Sequence, residues 1–197
     1  MLQPVLIQRT SAFLEEGNRL KIGIDVRSMA GEKTGIGRYT ENLIQGLASC
    51  DEANDYLLYC FFFKSFRQKV AGISLPDGKR FSFVAKNIPG VVLRYLWNAE
   101  IFKIDKLIGN VDILLLPELE IPPVNHEKIV SVIHDVIPLV SEKWHTKESA
   151  RIIGKFIKRA VNRADIVITV SNHTKQDLIQ VTGIKEEKVR VTHEGIC

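Results

Sequence analysis

A histidine and an aspartate close an apolar, β-branched run, Lys128-Ile129-Val130-Ser131-Val132-Ile133-His134-Asp135. Residues 129–133 read as a short strand buried on both faces, as strands of parallel sheets are. In an open α/β sheet, ligands bind beyond the carboxyl ends of the strands. His134 would emerge there as a hydrogen-bonding or titrating imidazole, and Asp135 as a charge. The competing reading is a histidine that finishes a strand and bonds a nearby carbonyl.

Two further segments could carry chemistry. The first is Asp25-Val26-Arg27-Ser28-Met29-Ala30-Gly31-Glu32-Lys33-Thr34-Gly35-Ile36-Gly37-Arg38-Tyr39. Glycines at the mouth of a helix let backbone approach a ligand, and a helix N-terminus favours anionic groups. Gly35, Gly37 and Arg38 are therefore candidate binding residues. A dinucleotide fingerprint is not met: Thr40 stands where a third glycine belongs, the preceding loop is long, and the next strand ends on Lys64 rather than an acid. A Walker A loop is also absent. The second segment is Asp165-Ile166-Val167-Ile168-Thr169-Val170-Ser171, whose serine leaves a strand to open a helix. Ser171 is either a ligand contact or simply an N-cap. No serine or cysteine sits in the context of an activated nucleophile, so covalent catalysis has no support.

Elements able to position these residues alternate along the chain. Strands are expected at 21–26, 56–63, 81–85, 112–116, 129–133, 166–170 and 188–192. Helices are expected at 39–48, 93–108, 149–162 and from Ser171 to near Gly183. The 93–108 helix is read from an i, i+4 stripe of Leu93, Trp97, Ile101, Ile104 and Ile108. Strands separated by helices imply a Rossmann-like, three-layer α/β/α domain with a doubly wound, mainly parallel sheet of about seven strands. Residues 1–20 form an amino-terminal extension and 21–197 a single domain. The chain stops just after its last strand, which reads as cut short.

At 197 residues, 45% hydrophobic and 25% charged, the composition is that of a soluble globular protein. No run approaches the roughly 20 apolar residues of a membrane span, and residues 1–20 lack the features of a signal peptide. A cytoplasmic location is expected. Three cysteines without metal-ligand spacing argue against disulfides and structural zinc; Cys60 lies in an apolar strand and reads as core. Between Thr146 and Arg163, six basic residues accompany one acid, Glu148, in a chain of net charge +4. That helix is a candidate for an anionic surface. Without interleaved aromatics, and with a complete core face, it is not read as a nucleic-acid binder.

Together the segments Gly-Ile-Asp-Val-Arg, Thr-Gly-Ile-Gly-Arg-Tyr, Val-Ile-His-Asp-Val-Ile-Pro, Arg-Ala-Asp-Ile-Val-Ile-Thr-Val-Ser-Asn-His-Thr-Lys-Gln-Asp-Leu and Val-Arg-Val-Thr-His-Glu-Gly-Ile resemble the amino-terminal half of a family 4 retaining glycosyltransferase. The resemblance covers residues 21–196. It implies half of a GT-B fold, with two Rossmann-like domains facing across a cleft. The glycine loop would approach the donor diphosphate and the acceptor, and His134 would contact the transferred sugar. The substrates would be a nucleotide-sugar and a glycan or lipid-linked acceptor, with no cofactor or metal. The glycine-loop and His-Asp-Val-Ile-Pro pieces look most like bacterial enzymes that add mannose or related sugars to surface polysaccharides. The lipid-linked acceptors common in that family, with the basic 146–163 helix, imply a peripheral place at the inner face of an anionic membrane.

The family's carboxyl-terminal, donor-binding domain, with its Glu-x7-Glu motif, is not in this sequence, so little independent activity is expected. A second reading is a non-catalytic module, either a remnant or a subunit that docks a separately encoded donor domain. At the hinge, Glu194 and Cys197 depart from the family's Asn-Gly-Val/Ile-Asp pattern.

Overall fold

The computed structural model describes residues 19–31, 34–140 and 146–194. Most of the expected amino-terminal extension and the hinge residues 195–197 lie outside the described residues. The elements in chain order are β1 (Lys21–Asp25), α1 (Gly35–Cys50), β2 (Asp55–Phe62), α2 (Phe66–Ala71), β3 (Phe81–Asn87), α3 (Gly90–Asn98), α4 (Asp105–Ile108), β4 (Ile113–Leu116), β5 (Lys128–Ile133), α5 (Ile137–Val140), α6 (Lys147–Arg163), β6 (Ile166–Thr169), α7 (Asn172–Thr182) and β7 (Val189–Val191). The seven strands form one sheet in the order β3-β2-β1-β4-β5-β6-β7, every pair parallel. The fold is a Rossmann-like, doubly wound α/β sheet. The winding direction reverses between β1 and β4, whose register sets Ile24 opposite Leu115.

Alternation along the strands divides the core into layers. Tyr56, Leu58 and Cys60 of β2 join Ile24, Leu115, Val132 and Ile168 on one face, covered by Ile44 of α1. The intervening Leu57, Tyr59 and Phe61 face the other way, onto Leu93 and Trp97 of α3 and Ile104 and Ile108 around α4. On that same side, Leu116, Ile129, Ile133 and Val167 pack against Ile157 and Ala160 of α6 and Leu178 of α7. Fully burying such an aliphatic side chain is worth about 1.5–3 kcal/mol, so both faces are committed to helices.

Three helix starts follow from a hydroxyl cap. The side chains of Thr34, Thr146 and Ser171 accept from the backbone N–H of Gly37, Ser149 and Thr174, respectively. The expected helix over 93–108 is corrected to two. After Asn98 the chain turns through Glu100 at φ 55°, with Ile101 N–H donating to Leu96 O at 3.1 Å. Helical continuity ends there, and the stripe loses Ile101, which is 68% exposed, while Ile104 and Ile108 stay buried. The chain between β4 and β5 forms no helix: Pro122-Pro123 lacks amide donors, and Ile104 N–H instead donates to Pro123 O at 3.0 Å.

Candidate functional site

The carboxyl edge beside the β1/β4 switch gathers the exits of β1, β4 and β5, together with Glu194 beyond β7. His134 leaves β5 here with its side chain 18% exposed. Its Nε2 lies 3.1 Å from Pro117 O. A carbonyl only accepts, so the network assigns the proton to Nε2. Nδ1 faces Glu194 Oε1 at 3.5 Å, and the Tyr39 ring meets the imidazole edge-on at a centroid distance of 4.8 Å. The ring is thus held at Nε2 and along one edge; in this tautomer Nδ1 and the Glu194 carboxylate both only accept, so Nδ1 is left open to a hydroxyl donor. The carbonyl-bonding geometry of the strand-ending reading is present, at the carboxyl edge of the sheet. Of the two groups facing the ring nitrogens, the half-exposed Glu194 side chain is the one with room to move aside. Burial, with Glu194 adding its negative charge, pushes the Tyr39 hydroxyl up to about 12.

The glycine segment reaches His134 through this tyrosine. A Cβ on Gly37 would lie 2.3 Å from Ser28 O, so the glycine is what lets α1 approach the exit of β1. Thr40 locks the approach. Its hydroxyl donates to Ile36 O at 2.8 Å and accepts from Ser28 Oγ at 3.0 Å, a use of the third-glycine position that requires a side chain. Gly35 has open space around it, and Arg38 is exposed. Asp135 is exposed and its Oδ1 accepts from Ile137 N–H at 3.1 Å, opening α5. Ser171 Oγ accepts from Thr174 N–H at 3.0 Å and meets Thr174 Oγ1 at 2.9 Å. Its hydroxyl is engaged as a cap. The structure therefore brings His134 and the Gly37 turn together, while Asp135 and Ser171 order backbone nearby.

An ion cluster at the same edge escaped the sequence reading. Arg27 pairs with Asp25 through NH2 and Oδ2 at 2.7 Å and with Glu120 Oε2 through NH1 at 2.6 Å; Glu118 Oε2 lies 3.9 Å away. Burial opposes the guanidinium charge, but Asp25, Glu120 and Glu118 together raise its pKa further above the ordinary arginine value. Burial, reinforced by Asp25 and offset by Arg27, pushes the Glu118 carboxyl up. An acid closing the first strand with an arginine two residues on, and Glu118-Leu119-Glu120 just past a Leu-Leu-Leu run, were the available signals. Among the described residues, no group of three or more His, Cys, Asp or Glu side chains is placed to hold a metal ion, and no helix is long and apolar enough to cross a membrane.

A constellation of one imidazole, one tyrosine, arginine-paired carboxylates and a helix mouth can orient hydroxyl-rich ligands through hydrogen bonds. It offers no primed nucleophile. Among solved structures, the wall teichoic acid polymerase TagF superposes with a TM-score of 0.45 at 11% identity, covering 87% of this chain and 37% of that one. A short-chain dehydrogenase/reductase from Saccharomyces cerevisiae superposes with a TM-score of 0.36 at 16% identity, covering 87% and 85%. This chain thus spans well under half the length of the polymerase. No curated protein matches. The family model for Glycosyltransferase Family 4 matches residues 33–197, a span that holds the glycine turn, His134 and the β4 exit alike, and the chain belongs to that family.

Proposed function

We propose that this chain is the acceptor-side domain of an enzyme that transfers a sugar from a nucleotide-sugar to a glycan or lipid-linked acceptor in cell-surface polysaccharide synthesis, with mannose as the favoured sugar. The observation that carries this reading is the family match over residues 33–197. The edge around His134 is consistent with it. In this reading His134 gives up its Glu194 contact and uses Nδ1 to hold a sugar hydroxyl, while Pro117 O keeps the ring oriented. Gly35, Gly37 and Arg38 line the approach for the acceptor and the donor diphosphate, with Asp135 and Ser171 ordering the adjoining turns. The nucleotide-sugar is substrate, and no cofactor is invoked.

Departure of a nucleoside diphosphate requires its charge to be neutralised and water excluded, work assigned to a donor-binding domain across the cleft. The chain alone should therefore release no nucleoside diphosphate from UDP-, GDP- or ADP-sugars, and a protein joining it to a family 4 donor domain should. In that joined protein, His134→Ala should lower turnover on the order of 10²-fold or more with little change in melting temperature. Unimpaired turnover by the variant, or turnover by the chain alone, refutes the assignment.

A lipid-linked acceptor fits a peripheral position at the cytoplasmic face of an anionic membrane. Val91 and Tyr95 of α3 are 75% and 70% exposed, one helical turn apart, and Arg151, Lys155 and Lys158 are exposed on α6.

A further inference from the structure

We infer that the groove between α3 and α6 is a subsite for a neutral sugar ring, the acceptor unit next to the one that is glycosylated; this rests on the proposed function. The thin, proline-bearing β4–β5 connection fills little of the space that a crossover helix would occupy, and a cavity of about 220 Å³ opens above it. Arg94, Glu118, Leu119, Glu120 and Phe156 line that cavity. A smaller inner pocket of about 40 Å³ continues inward to Trp97, Asn98 and Arg159, enough for a water molecule or a hydroxyl group. Trp97 is 3% exposed, yet its indole Nε1–H has no acceptor, and neither does Arg159 Nε–H. Buried donors are ordinarily satisfied; both side chains line this one small pocket, and a slight shift of either would turn its unanswered N–H toward an oxygen brought from outside.

The lining selects among ligands. Glu118 and Glu120 accept hydroxyl protons, Arg94 donates, and the half-buried Phe156 ring offers an apolar surface to the C–H face of a pyranose. The charges around the groove balance, with Asp25, Glu118 and Glu120 against Arg27, Arg94 and Arg159, so nothing in it calls for a phosphate or uronate and a neutral polyol fits. The groove also adjoins the His134 site: Pro117, whose carbonyl holds the imidazole, immediately precedes Glu118. One loop, 117–120, is the shared wall.

The test follows the Trp97 indole N–H signal by ¹H–¹⁵N NMR in the full 197-residue chain, assigned with Trp144→Phe, which leaves Trp97 as the sole tryptophan. Methyl α-glucoside and methyl α-mannoside should each be tried as probes. A saturable shift with one of them, absent with inorganic phosphate and glucuronate, is expected. Glu118→Gln and Phe156→Ala, checked for an unchanged melting temperature, should each weaken it roughly tenfold or more. No shift with either glycoside, an equal shift with phosphate, or full binding in both variants overturns the subsite. The readout needs no donor domain. Glycoside binding by a chain whose joined form ignores His134→Ala would leave the groove standing while the catalytic reading falls, and the reverse pattern separates them the other way.

Discussion

At the scale of single residues, Gly37 is more tightly constrained than Gly35, although both belong to one motif. Alanine is favoured over glycine by about 1 kcal/mol in helices, but at Gly37 its Cβ would press on the Ser28 carbonyl, a backbone atom that cannot swing away. Overpacking of this kind costs about 1–3 kcal/mol and wins. Gly37→Ala should be destabilised in urea titration and Gly35→Ala unchanged or slightly stabilised; equal behaviour would show that the approach of α1 is not what the glycine serves.

Asp51 carries a second residue-level prediction. Burial works against its charge, but donation from the Tyr56 hydroxyl at 2.6 Å, Asn54 Nδ2 at 2.7 Å and the Ala53 N–H at 2.8 Å outweighs it and holds the carboxyl below the usual range. A carboxyl with a depressed folded pKa stabilises above its unfolded value, and that stability drains as pH falls through the folded one. Asp51→Asn should lose stability at neutral pH and narrow the gap to wild type below about pH 4; a constant gap across that range rejects the linkage. His134 could be singled out from sequence because a polar residue ending a buried strand is conspicuous. Glu194 and Tyr39 could not, since their contact with it joins three distant segments.

Elements with hydroxyl caps and a regular apolar stripe, α1, α6 and α7, were legible in the sequence, as was the alternation that makes the sheet parallel. The break between α3 and α4 was not: it turns on Glu100 adopting a positive φ, a conformation that the residue type does not advertise. The same break alters the basic face of α6. Arg159 NH1 donates to Asn98 Oδ1 at 2.9 Å and Arg163 pairs with Glu100, so two of the cations that appeared free in sequence are tied to the end of α3 and the turn that follows it. Arg151, Lys155 and Lys158 remain exposed. Near an anionic bilayer each contributes roughly 1 kcal/mol, an attraction that salt screens. The chain should sediment with phosphatidylglycerol-containing vesicles at low salt, release as salt rises, and bind several-fold less as Lys155→Glu/Lys158→Glu. Equal sedimentation with neutral vesicles would count against a membrane role.

For the whole molecule, the reversal of winding places β1 between strands from opposite halves of the chain, and this alone brings the β1 and β4 exits together as the Arg27 cluster. The strand count was readable; the sheet order, and hence the cluster, depended on long-range pairing that local patterns do not encode. The same order governs how the chain emerges from the ribosome. After β3 has been made, β1 pairs with β2 along one side only, and its other edge stays open until Ile113–Leu116 arrive. An unpaired edge in a nascent chain is a template for wrong partners. Ribosome-arrested chains in which β1–β3 have emerged but β4 has not should be digested rapidly by protease, with protection rising once β4 and β5 clear the tunnel. Early protection of the β1–β3 segment would mean that the first half folds without waiting for its neighbour.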